Sequence, residues 1–146
     1  MKRILIFLII GFVFATVQAQ MDNPLKQGMP NTVTLSSGDV VCDIDGEWDT
    51  AYHNSYWGTK KDIIKITQEG NKFVGICLIG NEMASKGSET IKGKLEKGGF
   101  KSVLTYIQNS YWAPSTGEIG EKCNKIVIQA RYVSGGITDI LTLIRK

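Results

Sequence analysis

The sequence predicts an all-β protein, built as an antiparallel up-and-down barrel of eight strands, with a β-sandwich as the alternative. Three observations favour this class. Runs rich in Ile, Val, Thr and aromatic residues follow one another from residue 44 to the end of the chain. Glycine-containing turn sites separate several of these runs. Beyond the first 19 residues, no stretch shows the apolar spacing of a helix.

The chain begins with the pattern of a secretory signal peptide. Met1-Lys2-Arg3 supplies a positively charged start, an apolar run extends from Ile4 to Val17, and the small residue Ala19 ends a cleavage site. The apolar run is shorter than the roughly 20 residues that a membrane-spanning helix needs. We therefore expect cleavage after Ala19, a secreted or periplasmic protein, and no membrane anchor.

Removal of the signal peptide changes the charge balance. The whole chain has 17 basic and 14 acidic residues, and loss of Lys2 and Arg3 leaves 15 basic and 14 acidic ones. A net charge of +1 gives no support for nucleic acid or an anionic membrane as partner. The remaining 127 residues are enough for one domain with its own core.

Residues 20–41 form a predicted N-terminal arm or linker, followed by the barrel domain, residues 42–146. The arm contains Pro24, Gly28, Pro30 and Gly38 and shows no sustained period, apart from a possible short strand at Thr32–Leu35.

Seven runs of the barrel domain are predicted strands. They are Ile44–Tyr52, Asp62–Gln68, Lys72–Ile79, Glu89–Glu96, Phe100–Gln108, Lys125–Tyr132 and Ile137–Ile144. Tight hairpins are predicted at Glu69-Gly70-Asn71, Lys97-Gly98-Gly99 and Ser134-Gly135-Gly136. An eighth strand is expected within Tyr111–Glu121. Strand count and turn spacing fit a sandwich as well, but a barrel removes exposed strand edges more completely.

The three cysteines are an odd number for an exported protein. If the first and last strands close the barrel antiparallel, Cys42, before the first strand, and Cys123, before the penultimate one, lie at the same end. We expect these two to form a disulfide, which would stabilise the protein by roughly 4 kcal/mol in the chain-entropy model. Cys77 lies in an apolar strand, where a buried and unreactive thiol is expected.

A tetrapeptide occurs twice, as Asn54-Ser55-Tyr56-Trp57 and as Asn109-Ser110-Tyr111-Trp112. Each copy follows a strand of the same direction, so both are expected at the open mouth of the barrel. The predicted ligand-binding residues are Tyr52, His53, Asn54, Tyr56, Trp57, Asn109, Tyr111 and Trp112. Aromatic faces with flanking amides suit sugars, flat ring ligands or a protein hot spot. The alternative is that these aromatic residues only cap the core and that the repeat is a coincidence.

No catalytic or metal site is expected. His53 is the only histidine and has no ligand-type neighbours at metal-binding spacing. Acidic residues alternate from Asp43 to Asp49, which places them on one face, but the glycine-containing loop of a calcium site is absent. The chain also lacks G-x-S-x-G, H-E-x-x-H, a phosphate-binding glycine loop and C-x-x-C. We therefore predict neither an enzyme nor a cofactor.

Both ends of the barrel domain carry a recognisable signature. Gly46-Glu47-Trp48 opens the first strong strand, and Arg145 directly follows the apolar residues of the last one. This combination resembles the calycin superfamily, which contains lipocalins, fatty-acid-binding proteins and avidins. The resemblance covers about residues 44–146. It implies that Trp48 plugs the narrow end of the barrel, that Arg145 packs across it, that Gly46 is structural, and that a small, mostly apolar ligand binds between the strands.

The chain also departs from these families. It has no second lipocalin motif in the penultimate hairpin, and Thr138-Asp139 lies inside the final strand. Thr50-Ala51 and Asn54 stand where avidins place ligand-binding Asn and Ser, so biotin is not expected. A second resemblance is to small exported inhibitors of metalloproteases, which use a similar barrel with one disulfide.

Two functions follow from this reading. The first is an exported binding protein for a small apolar, aromatic or sugar ligand at the barrel mouth. The alternative is a protein-directed inhibitor or immunity-type factor without catalysis, whose partner is an exported protein.

Overall fold

A computed structural model describes residues 31–107, 111–131 and 138–146. The described strands are β1 (Thr32–Thr34), β2 (Val40–Cys42), β3 (Gly46–Asn54), β4 (Gly58–Glu69), β5 (Lys72–Cys77), β6 (Glu89–Glu96), β7 (Gly99–Ile107), β8 (Tyr111–Ile119), β9 (Lys125–Arg131) and β10 (Thr138–Arg145). Within these ranges, no helix is long and apolar enough to cross a membrane. The predicted signal peptide, residues 20–30 of the arm, Asn109-Ser110 and the hairpin Ser134-Gly135-Gly136 lie outside the described residues.

Strands β3 to β10 form a closed antiparallel barrel in the order β10-β3-β4-β5-β6-β7-β8-β9. The closing pair joins β10 to β3, from Ile140 opposite His53 to Arg145 opposite Trp48. This confirms the predicted eight-stranded up-and-down barrel rather than the sandwich. The eighth strand lies where it was expected, as β8, and the short strand expected near Thr32 is β1, which pairs with β2 in a separate hairpin.

The buried face of each strand follows the alternation of its sequence. In β9, Ile126, Ile128 and Ala130 are fully buried, while Lys125 and Arg131 are exposed. Glycine is required at position 93 of β6, because a Cβ atom there would lie 2.1 Å from the carbonyl oxygen of Ser102. The ring of the buried residue Phe73 would lie 3.0 Å from the same Cβ atom, so glycine at this position also leaves room for that ring.

One end of the barrel is closed by Trp48, whose side chain is fully buried. Its indole N–H donates to the carbonyl oxygen of Ile44 at 3.0 Å. The Arg145 guanidinium lies 4.6 Å from the centroid of the indole ring and donates to the carbonyl oxygens of Asp43 and Asp45. The end of the last strand is thereby fixed to the start of the first. This geometry is consistent with a calycin-like fold.

The predicted disulfide between Cys42 and Cys123 is present, with 5.6 Å between the Cα atoms. It ties β2 to the turn before β9 at the closed end. Val41, next to Cys42, is 2% exposed and belongs to the main core cluster. The hairpin of β1 and β2, which includes the end of the predicted arm, therefore packs on the closed end of the barrel. Cys77 is a free and buried thiol, as expected.

Replacement of Arg145 tests how much the closed end contributes to stability. We expect Arg145→Met to lower the free energy of unfolding by about 2 kcal/mol, because two carbonyl oxygens lose a charged donor and the indole face loses a cation. Denaturant unfolding under oxidising conditions measures this change.

Lys146→Met is the matched control for this variant. Lys146 forms a surface ion pair with Glu47 at 3.4 Å, which is expected to contribute no more than about 0.5 kcal/mol. Equal losses in the two variants would show that Arg145 has no special role at the closed end.

Candidate functional site: the rim of the barrel

The rim is the end of the barrel opposite Trp48. Antiparallel strand order places the β3–β4 turn and the β5–β6 loop at this end. We use the word rim for residues 54–57 and 78–88. Both segments are held by buried side chains that project from barrel strands.

The β3–β4 turn presents two aromatic rings to solvent. Asn54 is 1% exposed, and its Oδ1 accepts hydrogen bonds from the backbone N–H groups of Tyr56 at 2.8 Å and Trp57 at 3.1 Å. Tyr56 is 74% exposed and Trp57 is 49% exposed. Their ring centroids are 5.1 Å apart in an edge-to-face arrangement, a favourable geometry for two aromatic rings. The turn is therefore fixed at its base while its rings stay accessible.

A buried carboxylate lies beneath this turn. Asp139, near the start of β10, is fully buried. One of its oxygens accepts a hydrogen bond from the Tyr52 hydroxyl, and the other accepts one from the Nδ2 amide group of Asn54. A continuous set of hydrogen bonds thus runs from β10 through Asn54 to the backbone of the turn.

A second buried carboxylate, Asp62 on β4, holds the β5–β6 loop. Its oxygens accept hydrogen bonds, at 2.7 to 3.3 Å, from the backbone N–H groups of Ile63, Ile79 and Gly80, the side-chain amide of Asn81 and the thiol of Cys77. Met83 of the same loop is 2% exposed and packs in the main core cluster. The loop therefore folds over the end of the barrel and plugs it with an apolar side chain.

Little space remains below this loop. The cavity lined by Thr50, Tyr52, Asp62, Cys77 and Met83, among others, measures about 20 Å³. A cavity of this size holds about one water molecule. This cavity is too small for the ligand that the calycin resemblance places between the strands, so the exposed outside of the rim is the better candidate surface for a ligand at this end.

The thiol of Cys77 belongs to the Asp62 cluster. It is fully buried and donates a hydrogen bond to Asp62 Oδ2 at 2.9 Å. Burial first, then the hydrogen bond to Asp62 and the negative charge of that residue, raise the pKa of Cys77 from 9.0 to about 12. Cys77 is therefore a neutral donor at physiological pH and a poor nucleophile.

The remaining predicted site residues are placed differently. His53 is exposed, with its Nδ1 2.9 Å from the Thr59 hydroxyl oxygen. Trp112 packs against Tyr106, with 5.2 Å between ring centroids, and Lys92 Nζ lies 3.8 Å above the indole ring. Because the next residue, Ala113, is fully buried, alternation directs Trp112 to the outer wall of the barrel.

The two tetrapeptides therefore differ in structure. The first builds the aromatic turn of the rim. In the second, Tyr111 is 36% exposed at the start of β8, Trp112 belongs to an outer-wall cluster, and Asn109 lies outside the described residues.

A shallow groove of about 490 Å³ crosses the outer faces of β10, β3 and β4. Its lining includes Ala51, Ile79 and Ile144. Ile79 is 58% exposed and Ile144 is 46% exposed. The groove joins the rim loop to the outer wall but does not enclose a ligand.

The sequence reading missed three residues that organise the rim: Asp62, Met83 and Asp139. For Asp139 a signal was present, because this charged residue shares the alternating positions of Leu141 and Leu143, which belong to the buried face of β10. No comparable signal marks Met83, which lies in an irregular loop. The sequence predicted Asp62 as the first residue of a strand but did not indicate its role in the rim.

Cys77 gives a prediction that depends on pH. Raising the pH from 8 to 10 should destabilise the protein more than its Cys77→Ser variant, because the thiol ionises in the unfolded chain at its ordinary pKa but stays neutral in the folded one. Below the ordinary pKa the contribution of the thiol is fully present, and it is lost as the pH rises towards about 12. Denaturant unfolding at both pH values measures the difference.

Alkylation provides the second readout for Cys77. Iodoacetamide at pH 8 should leave the folded protein unmodified and should label one thiol after unfolding. Rapid labelling of the folded protein, or identical pH dependence of the two proteins, would contradict the assignment.

Within the described ranges, no group of three or more His, Cys, Asp or Glu side chains is arranged to hold a metal ion. Comparison with known proteins found no matching family model, no similar curated protein and no similar solved structure.

Proposed function

We propose that this protein is an exported binding protein that holds its ligand on the rim, through the exposed rings of Tyr56 and Trp57. The observation that carries the proposal is the fixed aromatic turn: two accessible rings stand on a backbone that Asn54 anchors to the buried interior. Aromatic side chains offer a large contact area, and a turn that is already ordered loses little conformational entropy when a ligand binds.

The surroundings of the turn favour a ligand with one apolar face and polar edges. Ser55 is exposed between Asn54 and Tyr56. Lys60, shortly after the turn, forms an ion pair at 3.3 Å with Glu82 of the β5–β6 loop. Sugars and flat ring compounds combine an apolar face with hydrogen-bonding groups, so they are the ligand classes that we propose first. No cofactor and no catalytic step are part of this proposal.

Export is proposed from two independent features. The first is the signal-peptide pattern of residues 1–19. The second is the disulfide between Cys42 and Cys123, since stable disulfides are typical of oxidising compartments. Together they support a secreted or periplasmic protein.

A protein partner is the second candidate, and the filled interior favours it. Tyr56 and Trp57 share the rim with Ile79, which is 58% exposed on the β5–β6 loop. A group of exposed apolar side chains above a cavity of only about 20 Å³ also suits a hot spot for an exported protein. In that case the protein is an inhibitor or an immunity-type factor.

Native mass spectrometry of the mature protein, purified from its own medium or envelope, tests both candidates. A retained small mass that is released on denaturation supports the small-ligand function and identifies the ligand class. A stoichiometric complex with a second protein supports the alternative. Finding neither across growth conditions overturns the proposed binding function.

The double variant Tyr56→Ala/Trp57→Ala assigns the binding to the rim. We expect it to bind the identified ligand or partner at least about tenfold more weakly, since truncating a hot-spot aromatic residue costs about 2 kcal/mol or more. Isothermal titration measures the affinity. Ile144→Ala is the control, because Ile144 is exposed to a similar extent, 46%, but lies at the closed end. Unchanged affinity in the double variant would contradict the assignment of the binding site to the rim.

A further inference from the structure

We propose that Asp139 is the positioning residue of the rim: its buried carboxylate fixes the orientation of the Asn54 amide and thereby the conformation of the Tyr56–Trp57 turn. The geometric part of this inference stands without a ligand. Its consequence for binding rests on the proposed function.

Barrel closure brings the two residues together. In the β10–β3 ladder, Ile140 lies opposite His53 and Leu141 opposite Tyr52. Asp139 precedes Ile140 and Asn54 follows His53, so continuing the register by one step places Asp139 opposite Asn54. Alternation turns both side chains towards the interior, where both are buried.

The Asn54 amide group is asymmetric, and its orientation decides whether the turn can form. Its NH₂ group donates to Asp139, and its Oδ1 accepts the two backbone N–H groups of Tyr56 and Trp57. A carboxylate is only an acceptor. Asp139 therefore selects the orientation in which the NH₂ group faces the interior and the oxygen faces the turn. In the flipped orientation, two N–H donors would face the NH₂ group.

Packing alone does not explain an aspartate at this position. The two following inward positions of β10 are Leu141 and Leu143, both buried at about 1% exposure or less. Burying a carboxylate costs free energy unless hydrogen bonds compensate, and an apolar side chain of similar size avoids that cost. Among the described residues, Asp139 accepts hydrogen bonds from Tyr52 and Asn54, which both belong to β3. An orienting role for the turn accounts for the choice of residue.

Asp62 provides an internal comparison. It is also a buried aspartate near the rim, 7% exposed, but its donors hold the β5–β6 loop through Ile79 and Gly80. Substitution of the two aspartates by asparagine should therefore loosen two different segments. If the loss of a buried charge only destabilised the whole protein, both variants would loosen the same segments.

Amide hydrogen exchange, followed by NMR, tests the inference in the full mature protein. Asp139→Asn should accelerate exchange at the amides of Tyr56 and Trp57 by about tenfold, the effect of losing one net hydrogen bond. Asp62→Asn should accelerate exchange at Ile79 and Gly80 instead. The indole N–H of Trp48 donates a hydrogen bond to a carbonyl oxygen at the closed end. Its exchange rate reports whether the core stays intact in each variant.

A measurement on the unsubstituted protein keeps the inference testable if Asp139→Asn does not fold. The Asn54 side-chain NH₂ group should exchange at least about tenfold more slowly than that of the exposed Asn124, because the former is buried against Asp139. Equal exchange at the two amides overturns the inference, as does unchanged exchange at the turn in a folded Asp139→Asn protein.

Binding separates this inference from the proposed function. With the ligand or partner found by native mass spectrometry, Asp139→Asn should bind about tenfold more weakly, although both aromatic side chains are still present. Faster exchange at the turn with unchanged affinity shows that Asp139 orders the turn but that the rim is not the binding site. Unchanged exchange with weaker affinity overturns the positioning role and leaves the rim as the binding site.

Discussion

The pairing of β10 with β3 is the constraint on which the rest of the structure depends. These strands are far apart in the chain, and their ladder is what converts a β-meander into a barrel. At the closed end it brings Arg145 onto the Trp48 ring. At the rim it brings Asp139 to Asn54. This strand pair therefore positions a cation at one end of the barrel and a carboxylate at the other.

The rim illustrates how rigid strands can order short loops. Asp139 acts on the turn after β3, and Asp62 acts on the loop after β5, each through hydrogen bonds that reach backbone N–H groups directly or through Asn54. The ordering groups lie on strands and are buried. The loop residues themselves are thus free to carry exposed rings, since the loop conformation does not depend on burying Tyr56 or Trp57.

Alternation and turn chemistry explain why the fold was predictable. Ile126, Ile128 and Ala130 define a buried face by their spacing alone, and strand parity was enough to place Cys42 beside Cys123. The same parity could have identified Asp139 as buried, but a charged residue on an apolar face contradicts the usual expectation for aspartate. The burial of Asp139 is explained only by its hydrogen-bond partners on the paired strand β3, Tyr52 and Asn54.

The candidate site was less predictable, because a short motif does not define the face on which its residues lie. The two tetrapeptides have the same sequence, yet Trp57 follows a turn that Asn54 orders, whereas Trp112 lies within the first residues of a strand. Its orientation is set by the buried neighbour Ala113. Met83 was unpredictable for another reason: a single apolar residue in an irregular loop has no periodic partners that reveal its burial.

A filled barrel changes what the calycin resemblance implies about recognition. In an open cup, side chains on the inner face would select the ligand. Here the inward positions near the rim are occupied by Asp62, Asp139 and the loop residue Met83, which hold or plug the connections above them. In the proposed function, specificity belongs to the exposed residues of those connections. The affinity for a ligand then depends on how well the buried residues order these connections, because a contact group that is already ordered avoids an entropy loss on binding. Substitutions in the interior are therefore expected to alter binding without touching the ligand.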